Sequence, residues 1–83
     1  LSPNFPNPFN PTTTINYSVA TFSTVDISIY SMTGKLIQML VSSSQQPAQY
    51  AVQWNASNFP SGLYFVKLIS SNKIAEQKIL LIK

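Results

Sequence analysis

Short segments in which apolar and polar residues alternate constrain the fold of this chain more than any other feature. Three of them alternate clearly: Ile15–Val19, Val25–Ile29 and Tyr50–Trp54. Three more are rich in β-branched and aromatic residues but alternate less regularly: Leu36–Val41, Leu63–Ile69 and Ile74–Ile82. A period of two residues is typical of strands that bury one face, and no segment carries an apolar stripe of helical period. The pattern therefore predicts an all-β fold, an immunoglobulin-like antiparallel β-sandwich of six to seven strands.

Residues that favour turns separate these segments. They lie at Met32–Gly34, Ser42–Pro47, Asn58–Gly62 and Ser70–Asn72. Gly34 and Gly62 are the only glycines, and each lies just ahead of a predicted strand. Turn positions of this kind often require φ > 0, where a Cβ would clash with the backbone. We therefore predict positive φ at both glycines and a loop across 42–47.

The first residues of the chain are rich in proline. Four of the six prolines lie between Pro3 and Pro11. Each proline fixes its own φ and keeps the preceding residue extended, so a helix or a regular central strand is excluded there. A flexible linker would be rich in Gly and Ser and would not carry Phe5 and Phe9. We predict that residues 1–13 form a stiff lead-in packed on a β-sandwich domain of residues 14–83. On composition alone, an ordinary proline-rich linker is the alternative.

Length and charge exclude several classes of protein. Eighty-three residues make one small domain, and the absence of cysteine excludes a disulfide scaffold. The charged residues are five lysines, Asp26 and Glu76, a net charge of +3 without the clustered basic stripe of a nucleic-acid binder. The longest apolar run, Ile79–Ile82, is far too short to span a membrane. The sequence carries no signal peptide and begins at Leu1 without Met, so we expect a longer precursor.

The chain also lacks the residues that most enzymes use. It has no His and no Cys, hence no imidazole base, no thiol nucleophile and none of the usual zinc ligands. Catalysis by paired carboxylates would require Asp26 and Glu76 to converge, whereas Asp26 alternates with Val25 and Ile27 and is expected to face solvent. Two carboxylates are also a poor basis for a calcium site. The sequence predicts no enzymatic activity, no cofactor and no catalytic or metal-binding residues.

A series of motifs resembles a known family along essentially all 83 residues. In order, they are Pro6-Asn7-Pro8-Phe9-Asn10-Pro11-x-Thr13-x-Ile15-x-Tyr17, Val25-x-Ile27-x-Ile29-Tyr30-x-x-x-Gly34-Lys35, Tyr50-x-Val52-x-Trp54-Asn55, Ser61-Gly62-Leu63-Tyr64-Phe65-Val66 and the terminal Lys78-Ile79-Leu80-Leu81-Ile82-Lys83. The chain resembles the C-terminal sorting domains of type IX secretion, of type A, the Por secretion tail family. The departures are at turns: Ser31 stands where the family usually has Asp, and Ala48-Gln49 where it usually has Gly.

The resemblance implies a function and an itinerary. A sorting domain directs the cargo protein that precedes it in the same precursor through the type IX system. Its implied partners are the outer-membrane translocon and a surface sortase-like peptidase that commonly cleaves before the domain. It also implies passage through the periplasm and delivery to the cell surface or the extracellular space. The residues it implies for the sorting motif are Pro6, Asn7, Pro8, Phe9, Asn10, Pro11, Tyr30, Gly34, Gly62 and Tyr64.

Aromatic residues leave a second function open, because β-sandwich modules of secreted glycosidases bind sugars by stacking. The candidates for such a platform are Tyr17, Tyr30, Tyr50, Trp54, Phe59, Tyr64 and Phe65. Tyr50, Val52 and Trp54 share one face of one strand, which favours a core position. Tyr30 and Phe65 lie opposite predicted core residues and are better placed for surface contact. A third alternative is a structural immunoglobulin-like spacer similar to the flagellar hook-capping domain.

The last strand carries the candidate docking residues. Ile79–Ile82 is continuously apolar, so both faces of this strand must be covered. One face can meet the core, and the other is covered either by loops or the lead-in, through Phe5 and Phe9, or by the export machinery. We favour the machinery as a hypothesis. The candidates for contact with the translocon are Lys78, Ile79, Leu80, Leu81, Ile82 and Lys83.

Overall fold

A computed structural model describes residues 11–71 and 73–82, and these form six strands. They are β1 (Thr12–Val19), β2 (Ser23–Ser31), β3 (Leu36–Gln45), β4 (Ala48–Asn55), β5 (Gly62–Ser70) and β6 (Lys73–Leu81). Within the described ranges no residue is helical. Every segment with a strand pattern in the sequence is a strand, which confirms the prediction of an all-β fold.

The strands form two antiparallel sheets that pack face to face. β1 pairs with β4 in a two-stranded sheet, and the other four follow the order β3-β2-β5-β6. All pairings are antiparallel. The turn between β3 and β4 carries the chain from one sheet to the other. This arrangement is consistent with an immunoglobulin-like β-sandwich, as the strand count and spacing predicted.

The core lies between the two sheets and consists of alternate side chains of the strands. In β2, for example, Val25, Ile27 and Ile29 are fully buried. The buried apolar set is Ile15, Tyr17, Val19, Val25, Ile27, Ile29, Trp54, Ala56, Tyr64, Val66, Leu68, Ile79 and Leu81. Because successive side chains of a strand point to opposite faces, the period-two pattern of the sequence becomes this single apolar layer.

Aromatic contacts join the two sheets. The Trp54 ring lies 5.3 Å from that of Tyr64, edge to face, and 5.7 Å from that of Phe59. Its indole Nε1 donates a hydrogen bond to Gln38 Oε1 at 2.9 Å, so the polar atom of this buried ring has a partner. Within the small sheet Tyr17 stacks on Tyr50, with centroids 5.4 Å apart. Trp54 is therefore a core residue as predicted, while Tyr50 is half-buried and packs against the core.

Both glycines have positive φ, as predicted. Gly34 has φ of 88° in the turn between β2 and β3, and Gly62 has φ of 151° at the first position of β5. The side chain of Ser31 stabilises the turn that contains Gly34. Its Oγ lies 2.9 Å from Thr33 Oγ1 and 3.3 Å from the Lys35 N–H that donates to it. A serine hydroxyl thus closes this turn where the family usually has an Asp carboxylate.

The loop predicted across Ser42–Pro47 is wrong for its first four residues. β3 continues through Gln45, and residues 42–45 pair with residues 23–26 of β2. Ser42 Oγ donates to Asp26 Oδ1 at 2.9 Å across this ladder. Serine-rich composition indicates a loop locally, but the partner strand supplies backbone hydrogen bonds that override it.

Most of the proline-rich lead-in, residues 1–10, lies outside the described residues. Pro11 is described: its carbonyl accepts a hydrogen bond from the Ala56 N–H at 2.9 Å. β1 begins at the next residue, opposite Asn55. The chain therefore enters the sandwich at a defined point, beside the end of β4.

Candidate functional site

The side of the large sheet that faces away from the core carries the candidate site, which we call the outer face. It consists of the outward side chains of β2, β5 and β6: Asp26, Ser28, Tyr30, Leu63, Phe65, Lys67, Ile69, Ile74, Glu76, Lys78 and Leu80. The strand register sets them in rows. Tyr30 lies opposite Phe65, which lies opposite Lys78, and Leu63 lies opposite Leu80. Apolar and aromatic groups thus meet lysines across three strands.

A shallow groove runs over this face. Its volume is about 300 Å³, and its lining residues are Tyr30, Met32, Gly34, Phe65, Lys67 and Glu76. The ammonium group of Lys67 lies 5.9 Å from the centroid of the Tyr30 ring, a distance at which a cation and an aromatic face attract each other. This contact holds the lysine over the ring, and Glu76, which lies opposite Lys67 on β6, brings a negative charge to the same groove.

The last strand divides its candidate docking residues between the two faces. Ile79 and Leu81 point inward and are 1% and 0% exposed, so they are core residues, not surface residues. Lys78 and Leu80 point outward, and Ile82, just past the strand, is 49% exposed. Lys83 lies outside the described residues. One half of the continuous apolar run therefore fills the core, which is wrong for Ile79 and Leu81 as docking candidates, and the other half, Leu80 and Ile82, lies away from the core.

The sorting-motif residues that the structure describes have different environments. Tyr30 is half-buried on the outer face, and Gly34 lies in the turn beside it. Tyr64 points into the core, where it is 6% exposed. Pro11 anchors the entry of β1 through its carbonyl. Pro6, Asn7, Pro8, Phe9 and Asn10 lie outside the described residues.

Tyr64 is built into the core at the end of the sandwich where β5 begins. Its hydroxyl donates a hydrogen bond of 2.6 Å to the Pro60 carbonyl, which closes the 56–61 loop over the ring. Burial disfavours the charged phenolate and raises the pKa of Tyr64 above its usual value. Tyr64 is thus a structural residue of the motif, whereas Tyr30 is available for contact.

The two carboxylates do not form a site. Asp26 on β2 and Glu76 on β6 both lie on the outer face, but β5 separates them. Two strand spacings amount to about 9.6 Å before the offset along the strands is added. No group of three or more His, Cys, Asp or Glu side chains that could hold a metal occurs among the described residues.

The aromatic platform suggested by the sequence is mostly buried. Tyr17, Trp54 and Tyr64 are core residues, and Tyr50 and Phe59 pack against the core. Only Tyr30 and Phe65, among the seven candidates, remain on the outer face. Stacking of a sugar requires exposed ring faces, so two half-buried rings are a weak basis for carbohydrate binding.

Several outer-face residues were not among those predicted from the sequence. The alternation along β5 could have predicted Leu63 and Lys67. They are two residues from Phe65 on either side and so share its face, whereas the buried residues Tyr64, Val66 and Leu68 point to the other face. The alignment of Leu63 and Lys67 with β2 and β6 depends on the register of the sheet, which no local pattern reveals. A second groove, of about 430 Å³, lies at the opposite end of the sandwich and is lined largely by small and hydroxyl side chains of residues 18–23 and 68–75. Among the described residues that line it, Lys73 is the one ionisable group.

Fold and site together define a small immunoglobulin-like β-module with a sorting-type motif set, an apolar outer face and no catalytic constellation among its described residues. The chain belongs to the family of secretion system C-terminal sorting domains, those of type IX secretion, because the family model matches residues 4–83. No curated protein and no solved structure shows a significant match to this chain.

Membership of the family establishes what this domain does. It is a C-terminal sorting signal, so it follows an N-terminal cargo in the same precursor and directs export through the type IX system to the cell surface or the extracellular space. The family is one of sorting domains and not of catalysts. In the described part of the chain no helix is long and apolar enough to cross a membrane.

Proposed function

We propose that the outer face of β5 and β6, at the end where the chain terminates, is the surface by which this sorting domain docks on the outer-membrane translocon. The precursor would present it from the periplasm, after the domain has folded. A surface sortase-like peptidase would then separate the cargo by cleaving ahead of the domain.

The observation that carries the proposal is the division of the C-terminal residues between two faces. Ile79 and Leu81 stabilise the core, whereas Leu80 and Ile82 place aliphatic side chains outward with Lys78 beside them. Outward apolar side chains on an edge strand are an aggregation liability unless a partner uses them. Leu63 and Phe65 on β5 extend the same apolar surface, and both are half-buried.

The charge of this surface suggests the chemistry of the partner. Lys67 and Lys78 flank the apolar side chains, and among the described residues Glu76, opposite Lys67, is the one carboxylate beside them, so the rim keeps a net positive charge. A complementary surface would be apolar at its centre and acidic at its rim. We therefore infer docking on a folded protein surface of that kind.

The test is a point substitution in the full-length precursor. Leu80→Asp combined with Ile82→Asp should leave the cargo folded but retained in the periplasm, because a buried carboxylate at an apolar contact is costly. Removal of residues 79–83, the simpler experiment, is expected to have the same effect, but it also takes Ile79 and Leu81 out of the core. The point substitutions separate docking from folding.

Phe22→Asp is the matched control. Phe22 is 61% exposed and lies at the opposite end of the sandwich, so the change should not affect delivery. Cell fractionation and surface labelling of the cargo measure the outcome. Normal surface delivery of the Leu80→Asp, Ile82→Asp precursor would disprove docking through this face.

A further inference from the structure

The core-facing side chains of the small sheet are buried to different extents on its two strands. Tyr17 on β1 is 5% exposed, whereas Tyr50, directly opposite on β4, is half-buried. Ile15 on β1 and Val52 on β4 show the same difference. In the large sheet, the apolar side chains of β3 that pack against the core are also half-buried: Ile37, Leu40 and Val41. The core is therefore less well covered along β3 and β4 than along β1.

β3 and β4 lie on the same side of the sandwich. Gln46 and Pro47 alone separate the end of β3 from the start of β4. Towards the other end of the two strands, Trp54 Nε1 donates to Gln38 Oε1 at 2.9 Å. The half-buried apolar side chains thus form one strip, which we call the β3–β4 side. This strip is uncharged, because residues 36–66 contain no Lys, Arg, Asp or Glu.

The two strand edges on the β3–β4 side differ in regularity. The register between β2 and β3 shifts twice, which leaves Ile37 and Leu40 as extra residues on β3. Bulges, prolines and charges are the usual devices by which an edge strand avoids pairing with another chain. β4 has none of them: it pairs with β1 in one unbroken register, and in the described ranges it has no other strand neighbour. The edge of β4 is therefore competent to pair with a further strand.

We propose that this domain forms a symmetric dimer in which the β4 strands of two copies pair antiparallel through these edges, with Ala51 opposite Ala51 of the second copy. The occupant of the β4 edge is thus a second copy of the same chain. Pairing joins the two small sheets into one sheet with the strand order β1-β4-β4-β1. This inference goes beyond the proposed docking function and does not depend on it.

The sequence of β4 favours a second copy as the partner, because it is self-complementary about Ala51. In this register Tyr50 lies opposite Val52 of the second copy, and Gln49 lies opposite Gln53. Each contact occurs twice, as in any isologous interface. An aromatic ring beside a β-branched side chain is a favourable cross-strand pair, and two carboxamides can hydrogen-bond to each other. Ala51 on the symmetry axis is small enough for the strands to approach, and no like charges meet.

Tyr50 is already ordered at the edge where the second copy would pair. Its ring stacks on that of Tyr17, with centroids 5.4 Å apart, and its hydroxyl donates to the Gln46 carbonyl at 2.6 Å. A side chain that is held before association loses little conformational freedom when a partner covers it. The exposed part of this ring and of Val52 is therefore available as apolar contact area.

Dimerisation through β4 leaves the proposed docking surface free in both copies. In the large sheet β3 is the edge beside β4, and β6 is the opposite edge. The second copy therefore covers the side of the sandwich that is far from Lys78 and Leu80. The dimer and the docking surface are compatible, and either proposal can fail without the other.

The first test measures the oligomeric state of the 83-residue chain by analytical ultracentrifugation from about 1 μM to about 1 mM protein. We expect a shift from monomer to dimer as the concentration rises. Ala51→Lys should raise the Kd of the dimer by about tenfold or more, because the two ammonium-bearing side chains would start about 5 Å apart across the axis. A chain that stays monomeric throughout this range, or a dimer that Ala51→Lys leaves unchanged, would overturn the proposal.

Asn16→Lys is the matched control. Asn16 is exposed on the same face as Ala51 and lies opposite it on β1. In the dimer the two substituted positions are three strand spacings apart, about 14 Å, which exceeds the Debye length of about 10 Å at 0.1 M salt. The same added charge should therefore change the Kd by no more than about twofold. Equal weakening by the two substitutions would show that β4 does not form the contact.

The second test examines the register and does not depend on a weakened dimer. The chain has no cysteine, so an engineered thiol can pair only with its equivalent in another copy. Ala51→Cys places two Cα atoms about 4.5–5.5 Å apart, within the range that a disulfide spans, whereas Asn16→Cys places them about 14 Å apart. With oxidised glutathione, Ala51→Cys should give a covalent dimer on non-reducing electrophoresis and Asn16→Cys should stay monomeric. Equal yields from the two variants would overturn the pairing of β4 with itself.

Discussion

Two glycines and one tyrosine show how single residues determine this fold. Gly34 and Gly62 have positive φ, a conformation that other residues rarely adopt. An added Cβ would meet no atom within 4 Å at either position, so the glycines are needed for the backbone conformation and not for space. Tyr64 is required for packing and for its hydrogen bond to Pro60. Among the motif residues that the structure describes, most have structural environments, and Tyr30 on the outer face is the exception.

Replacing either glycine by valine should destabilise the domain by roughly 1–3 kcal/mol, because a β-branched residue is strained at positive φ. The cost is backbone strain alone, since there is space for the side chain. Gly34→Asn is the matched control, because Asn tolerates a left-handed conformation, and it should cost less than Gly34→Val. Thermal melts measure both. Unchanged melting of the two valine variants would contradict the role of these turns.

Tyr64 should make the domain less stable at alkaline pH. Its pKa is raised by burial, so the native state keeps the proton where the unfolded chain loses it. The resulting stability is complete below the unfolded pKa of about 10 and is lost as the pH rises through the folded pKa. Urea titrations at pH 8, 10 and 11 should show this decline, and Tyr64→Phe should reduce its slope. An equal slope in the variant would assign the effect to other groups.

At the scale of the element, β6 has two functions that alternate along one strand. Its inward residues complete the core and its outward residues form part of the outer face. In β3, pairing overrides local composition. Residues 42–45 have a composition that favours a loop, yet they continue the strand because they pair with β2. Register and pairing therefore decide what these strands contribute.

Adjacent alanine substitutions at the end of β6 should differ sharply. Leu81→Ala removes a fully buried side chain and should cost about 2–5 kcal/mol. Ile82→Ala changes a side chain that is 49% exposed and should stay within about 0.5 kcal/mol of the unsubstituted chain. Chemical denaturation measures both. Similar losses of stability would mean that the inward and outward assignments of this strand are incorrect.

At the scale of the whole molecule, two sheets enclose one core, and the residues that we propose for docking lie outside it. The described residues provide no catalytic constellation, and most aromatic side chains are needed between the sheets. A domain of this kind acts through its surface. Its activity can therefore be transferred with the fold.

Fused to the C-terminus of a foreign exported protein, the domain should redirect that protein to the surface of cells with a type IX system. The isolated domain should bind no polysaccharide, because few of its aromatic rings are exposed. Surface labelling and affinity electrophoresis against a polysaccharide panel measure the two outcomes. Retardation by one polysaccharide that is lost in Tyr30→Ala or Phe65→Ala would favour a carbohydrate-binding module.

The sequence by itself determined the strands, both positive-φ glycines and the core position of Trp54, because these depend on local alternation and backbone sterics. The motif order also indicated the family. The tertiary structure alone decided that Ser42–Gln45 is strand, that Ile79 and Leu81 are core, and that Tyr30, Phe65 and Lys78 form one row. Each depends on which strands pair and in which register. Pairing is decided between residues far apart in the chain, so no local pattern contains it.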